Sequence, residues 1–272
     1  MIQETNQIWT PPPNLKISNW SDNYRRLSPE SSAEAGAWKT DRAPYQREIM
    51  DSFNDPDIQR IVFMKSAQVG ATEILLNVIG YYIDQDPSPM LIMQPTLQMA
   101  QAFSKDRLAT MIRDSEKIRD CVKDPRSRDS GNTVLSKKFA GGNLNIVGSN
   151  SASGLASRPI RIVLADEVDR YEQSAGAEGD PISLATKRTT TFWNKKIYMC
   201  STPTIKGLSR IETAFEESDK RYYHVPCPEC NEKQVLKWKN VVWDEDKPET
   251  ASYACKHCGS VIDESKKQWM LK

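Results

Sequence analysis

The sequence predicts an α/β protein: a parallel sheet covered by helices on both faces, with a small β-rich appendage held by a metal ion. Three observations predict it. Short apolar runs alternate with helical stretches from the N-terminal arm as far as Arg221. The runs are continuous rather than alternating, as strands buried on both faces must be. Two Cys-x-x-Cys pairs then fall in the part of the chain beyond Arg221, which is too poor in apolar residues to build a core of its own.

A chain of 272 residues holds one sizeable α/β core plus an appendage. Its 38% apolar and 27% charged content is that of an ordinary globular protein. No apolar run is long enough to span a bilayer as a helix, and the segment from Met1 to Gln7 lacks the basic-then-apolar pattern of a secretory signal. A cytosolic protein without a membrane partner is expected. The net charge of +1 means that any nucleic acid would have to be met by local basic patches.

In chain order, residues 1–40 form an N-terminal arm. Pro11-Pro12-Pro13 favours an extended segment. Ser18 to Leu27 can form one amphipathic helix ended by Pro29, which either packs across the domain or docks a partner. Residues 41–220 are the main domain. Pro44 opens a helix at the first-turn position that tolerates proline. Strands are expected at Ile61–Met64, Met90–Met93, Asn143–Val147, Ile160–Ala165 and Ile197–Cys200, with helices at about 72–83, 96–118, 181–192 and 207–218. Residues 221–272 form the appendage. In a parallel sheet, ligands sit beyond the carboxyl ends of the strands, so the residues just after each run matter most.

After Ile61–Met64 come Lys65-Ser66-Ala67-Gln68-Val69-Gly70-Ala71-Thr72, then a buried helical run. Strand, tight loop and helix together aim backbone N–H groups and a helix N-terminus at phosphate oxygens. The standard phosphate-loop pattern wants glycine first and lysine just before the Ser/Thr. Gly70 and Thr72 fit, but Ala71 occupies the lysine position and Lys65 the first-glycine position. By itself the stretch fits a plain strand–turn–helix unit equally well.

Ile160–Ala165 runs into Asp166-Glu167. Adjacent carboxylates at the end of a buried strand are costly unless a cation uses them. A lone Asp-Glu is better read as a solvated acidic turn. Roughly ninety residues after a phosphate-loop-like turn, it favours a nucleotide site, Asp166 on Mg²⁺ and Glu167 activating water. Cys200 ends the next run as a small buried hydrophobe, and the hydroxyls of Ser201-Thr202-Pro203 can sense a γ-phosphate or make an ordinary turn. Gln94-Pro95-Thr96 offers a helix cap. The small-residue loop from Gly148 to Pro159 carries Arg158, either an arginine finger or the ion-pair partner of Asp166 or Asp169.

The cysteines are the most specific signal. Cys227-x-x-Cys230 and Cys255-x-x-Cys258 are joined by the stretch 231–254, slightly longer than the usual spacing of such pairs. Asn231 and Gly259 follow the pairs as left-handed turn residues. Four thiolates make a closed, structural Zn²⁺ site. His257 lies inside a knuckle, beside the ligands rather than among them. Among the basic pairs, Lys187-Arg188 and Lys195-Lys196 are candidate contacts to a DNA backbone.

Taken in order, several segments resemble the ATPase region of lambda-type (GpA-like) phage terminase large subunits: the arm from Trp20 to Glu30, Arg42 to Glu48, Lys65 to Glu73, Leu164 to Glu167, Ser201-Thr202-Pro203, and the cysteine pairs. The resemblance implies a P-loop NTPase fold of the ASCE type followed by a zinc ribbon. It also implies a deviant Walker A loop with its lysine at the start. Lys65 then reaches the β/γ-phosphates, the backbone of Ser66, Ala67, Gln68, Val69, Gly70 and Ala71 cradles them, and Thr72 and Asp166 hold Mg²⁺. Glu167 is the general base, Ser201-Thr202 the coupling motif, Tyr45 and Gln46 adenine contacts, and Arg158 the arginine acting in trans. The implied cofactors are ATP, Mg²⁺ and Zn²⁺. The implied partners are double-stranded DNA, a small terminase subunit, a portal or procapsid, and further copies in a ring, in the cytoplasm of an infected bacterial host. Full-length members continue into a nuclease domain, whose activity is not expected of this chain. Two rivals remain: a helicase-like translocase, which needs a second recombinase-like domain, and a non-catalytic docking module with a vestigial ATP site.

Overall fold

The structure, a computed structural model, describes residues 14–30, 32, 34–122 and 131–271. The run Pro11-Pro12-Pro13 lies outside them. A short helix α1 (Ile17–Tyr24) leads through α2 (Tyr45–Asp51) to the main sheet. Then follow β1 (Arg60–Met64), α3 (Ala71–Asp84), β2 (Pro89–Gln94), α4 (Leu97–Ala102), β3 (Ser136–Phe139), β4 (Gly142–Gly148), β5 (Ile162–Asp166), α5 (Pro181–Lys187), β6 (Lys196–Ser201) and α6 (Arg210–Glu216). The strand order is β1-β6-β5-β2-β4-β3. Every pairing is parallel except β3 with β4.

Both faces of the sheet are dry, as the continuous apolar runs require. Ile162, Leu164, Tyr198 and Cys200 enter one core cluster, while their neighbours Val163, Ala165, Ile197 and Met199 enter the other. That alternation is the period-2 geometry of strands covered on both sides. The first cluster also takes in Ile17 and Trp20 of α1, both fully buried. The Trp20 indole donates to Asp84 at 2.8 Å, and its ring lies so close to Gly80 that a β-carbon there would come within 2.3 Å. Packing across the domain is therefore what α1 does.

Four departures from expectation have local causes. Strand β3 escaped notice because Ser136–Phe139 is short and polar. Its hairpin signal is the Ala140-Gly141 turn, with Gly141 at φ +80. The expected helix 96–118 is interrupted: a π-helical segment, Phe103–Leu108, follows α4, and Ser115 is extended, its hydroxyl accepting from the Arg26 backbone. Helix α5 stops at Lys187 rather than 192, where Thr189 and Thr190 turn their hydroxyls back onto the carbonyls of Thr186 and Lys187. Helix α6 begins only at Arg210, where Ser209 caps the Glu212 N–H.

The appendage forms two small antiparallel sheets, Val225–Pro226 with Lys233–Gln234 and Val241–Asp244, Lys247–Ala254 and Val261–Ile262. Their cluster of buried residues contains only Val225, Cys227, Cys255, Ile262 and Met270. So little apolar burial does not hold such a unit together without a staple.

Candidate active site and metal centre

Strands β1, β6 and β5 lie side by side and parallel, so their carboxyl ends open on one edge of the sheet. The turn after β1 is locked from behind. Gln46 Nε2 donates to the Val69 carbonyl at 2.9 Å, and the Tyr45 hydroxyl donates to it at 3.2 Å. Gly70 has φ +77, which favours glycine, and a β-carbon there would meet Gln46 Nε2 at 2.4 Å and so push the Gln46 amide away from the Val69 carbonyl. Ser66, Ala67 and Gln68 remain exposed on the outer rim, with Gln68 also left-handed. The first N–H groups of α3, at Ala71 and Thr72, have no partner within the helix and add its positive dipole end.

Lys65 Nζ stands 2.6 Å from Glu167 Oε1 and 3.5 Å from Thr202 Oγ1. Side chains far apart in sequence thus meet in one cluster. Glu167 reaches Lys65 from a left-handed backbone, φ 53, which for a non-glycine residue costs about 1–3 kcal/mol. The next turn offsets that cost. Asp169 accepts from the Thr204 N–H and hydroxyl and from the Ile211 N–H, while its own N–H donates to Ser201 Oγ. Burial works against the Asp169 carboxylate, but these hydrogen bonds, with that of Ser209, hold its pKa below the usual range. Arg210 grips the same turn through the carbonyls of Tyr171 and Glu172. The sequence had marked Asp169 only as part of an acidic turn and a possible partner of Arg158; the structure makes it the tie between the ends of β5 and β6.

Asp166 is only 6% exposed. Its oxygens accept from the Gln94 amide at 3.0 Å and the Cys200 thiol at 3.1 Å, and it makes no ion pair among the described residues. Burial pushes its pKa up. A buried carboxylate served by neutral donors fits a cation, which would restore its charge. Cys200, read from sequence as a small hydrophobe, is buried but also polar in use: burial and the neighbouring Asp166 push its pKa well up, which keeps it a protonated donor.

Not every expected residue joins the cluster. The Ser201 hydroxyl is spent on the Asp169 N–H and the Thr202 carbonyl, leaving Thr202 to face Lys65. Arg158 is exposed and pairs with neither Asp166 nor Asp169, nor with any other acid among the described residues. Lys196 is unavailable to DNA: it is buried and donates to the carbonyls of Asp55 and Ile58, because the lysine begins a central strand.

The four cysteine sulfurs lie within 4.8 Å of one another. Cys227 and Cys258 are 3.9 Å apart and Cys230 and Cys255 3.8 Å, far beyond disulfide length. Metal–sulfur bonds of about 2.3 Å in a tetrahedron give an edge of about 3.8 Å, so the spacing is that of a tetrahedral thiolate site. Asn231 at φ 59 and Gly259 at φ 73 make the two knuckles alike. Gln234 and the His257 N–H donate to Cys255 at 3.5 and 3.4 Å, and the His257 ring is not in the cluster. This set fits a soft divalent cation.

A parallel sheet with one strand between the phosphate-loop strand and the acidic strand defines the class, a P-loop NTPase of the ASCE type with a ribbon appended. Within that class the chain belongs to the family described as phage terminase large subunit gpA, ATPase domain, whose pattern it matches over residues 32–272. It is 33% identical over 273 aligned positions to the large terminase subunit of Enterobacteria phage P21, covering 95% of this chain and 42% of that protein. It is 30% identical to that of Escherichia phage lambda, covering 94% and 41% respectively. The chain thus spans less than half the length of these two relatives. The large terminase of bacteriophage HK97 shares the fold, with a TM-score of 0.55 at 9% identity over 74% of this chain and 40% of that one. Among the described residues, no helix is long and apolar enough to cross a membrane.

Proposed function

We propose that this chain is the ATP-hydrolysing motor part of a viral DNA-packaging terminase, which moves double-stranded DNA into a procapsid in the cytoplasm of an infected bacterium. The observation that carries the reading is the Lys65–Glu167 ion pair, at the carboxyl ends of β1 and β5 beside an open loop that Gln46 and Gly70 hold in shape.

ATP enters with its triphosphate across Ser66 to Thr72. The phosphates offer several negative charges where Glu167 offers one, so the Lys65 ammonium transfers to the β/γ-oxygens. Glu167 is thereby released to take a proton from the attacking water, which Thr202 helps to orient. Before ATP arrives, the general base is tied up by the residue that later binds the substrate, which suppresses idle chemistry. Thr72 and Asp166 hold Mg²⁺, which neutralises charge on the phosphate oxygens. Through Asp169, displacement at the end of β5 reaches Thr204 and the start of α6 together, and Ser201 belongs to this coupling path. Arg158, exposed and without an acidic partner among the described residues, is available to complete the site of an adjacent copy in a ring. A small terminase subunit and a portal complete the machine.

ATP hydrolysis measured with and without linear duplex DNA, over rising protein concentration, tests this reading. Turnover that grows with concentration and with DNA is expected. No hydrolysis in any condition would favour a docking module with a vestigial site.

The cysteine cluster holds a structural Zn²⁺ through Cys227, Cys230, Cys255 and Cys258. Such binding contributes about 10–16 kcal/mol to folding at neutral pH. Metal analysis should find one zinc per chain, and Cys255→Ser should abolish it and expose residues 221–271 to proteolysis while the main sheet stays protected. Full zinc content in that variant would rule the assignment out.

A further inference from the structure

The turn that enters α2 and the segment leading into the ribbon meet at one place. The Tyr45 and Tyr223 rings stand 5.8 Å apart, centre to centre, at an interplanar angle of 73°. Tyr45 also donates to the Val69 carbonyl, which puts its ring at one end of the phosphate loop. Tyr223 comes from the other side: it lies shortly before Cys227, remains 43% exposed, and donates to the Leu271 carbonyl at 3.2 Å. Arg221, in the same segment, pairs with Glu48 on α2. A cleft of about 460 Å³ opens nearby between Arg42 and the short helix Lys267–Met270, lined by Lys267, Gln268 and the following Leu271.

Two rings at a steep angle bound a corner rather than a stack. A planar base can lie on one ring and meet the other edge-on, the arrangement aromatic groups prefer. We infer that Tyr223 is a base-contacting residue of the ATP site, so that the purine is held between the main domain and the ribbon segment. The inference rests on reading Tyr45 as the adenine contact and adds the second wall. An exposed aromatic surface gains most when another ring covers it, and Tyr223 is the more exposed of the two. Because the same residue is tethered to Leu271 and leads directly into the first knuckle, base occupancy and ribbon position are linked. By reciprocity, whatever shifts the ribbon must change ATP affinity by the same factor as ATP biases the ribbon.

The test compares two probes by calorimetry on the whole chain: ATP, and inorganic tripolyphosphate, which has the phosphates without the base. Tyr223→Ala should weaken ATP about tenfold, as loss of one base–aromatic contact does, and leave tripolyphosphate within about twofold. Tyr223→Phe keeps the ring, loses the Leu271 tether, and should retain ATP affinity. Unchanged ATP affinity in Tyr223→Ala would overturn the inference. So would equal weakening of both probes, which is what a merely loosened ribbon produces, or a loss in Tyr223→Phe as large as in Tyr223→Ala. If the parent chain binds neither probe, the ATP site itself is refuted and the inference falls with it; if it binds both equally, only the base pocket is refuted.

Discussion

Glu167→Gln is expected to lower ATP turnover by about 10²–10⁴-fold, the usual contribution of a general base, while ATP binding survives. The substitution is nearly isosteric, and it removes the charge that holds Lys65 at 2.6 Å. Lys65 then no longer has to leave a carboxylate before it can meet phosphate, so ATP should bind as tightly as to the parent or a few-fold more tightly. Equilibrium binding of ATP beside steady-state turnover reads both quantities. Markedly weaker binding would refute the exchange of Lys65 between Glu167 and phosphate, and unchanged turnover would refute the role of Glu167.

Lys65→Ala should fail in the opposite pattern. A hydrogen bond to a charged group contributes about 1.5–3 kcal/mol, so ATP affinity should fall about 10–100-fold and turnover should be lost with it. Among the described residues, the variant also leaves Glu167, 21% exposed, with Arg170 at 3.9 Å as its one remaining ion-pair partner. Its thermal stability without nucleotide should therefore drop. Normal turnover in Lys65→Ala would sink the reading of a phosphate loop whose lysine lies at its start.

Much of the fold was legible because its signals are local. Each buried strand announced itself as an apolar run, and the proline at 44 and the Thr96 cap act within a turn of where they stand. What escaped was decided by contacts made elsewhere. Ser136–Phe139 is strand because Gly142–Gly148 offers an edge to pair with, and Ser115 interrupts a helix while its hydroxyl serves the Arg26 backbone. One member of the basic pairs misled for the same reason. Lys196 has the composition of a DNA contact, yet its ammonium serves two carbonyls inside the fold.

The site divides in the same way. The sequence by itself determined which chemistries are present: a lysine, a glycine and a threonine around one turn, two carboxylates at one strand end, and four thiols at knuckle spacing. Spacing suffices there because neighbours on a tight turn have nowhere else to go. Only the tertiary structure decided which groups meet. Strand order laid β6 between β1 and β5 and so brought Lys65 to Glu167, gave Asp166 neutral partners instead of an arginine, and turned Ser201 toward Asp169 and away from the lysine. It also brought Tyr223, from the entrance to the ribbon, to Tyr45 at the start of the main domain. Such pairings depend on how whole layers pack, and no local pattern of residues encodes a distance between two strand ends.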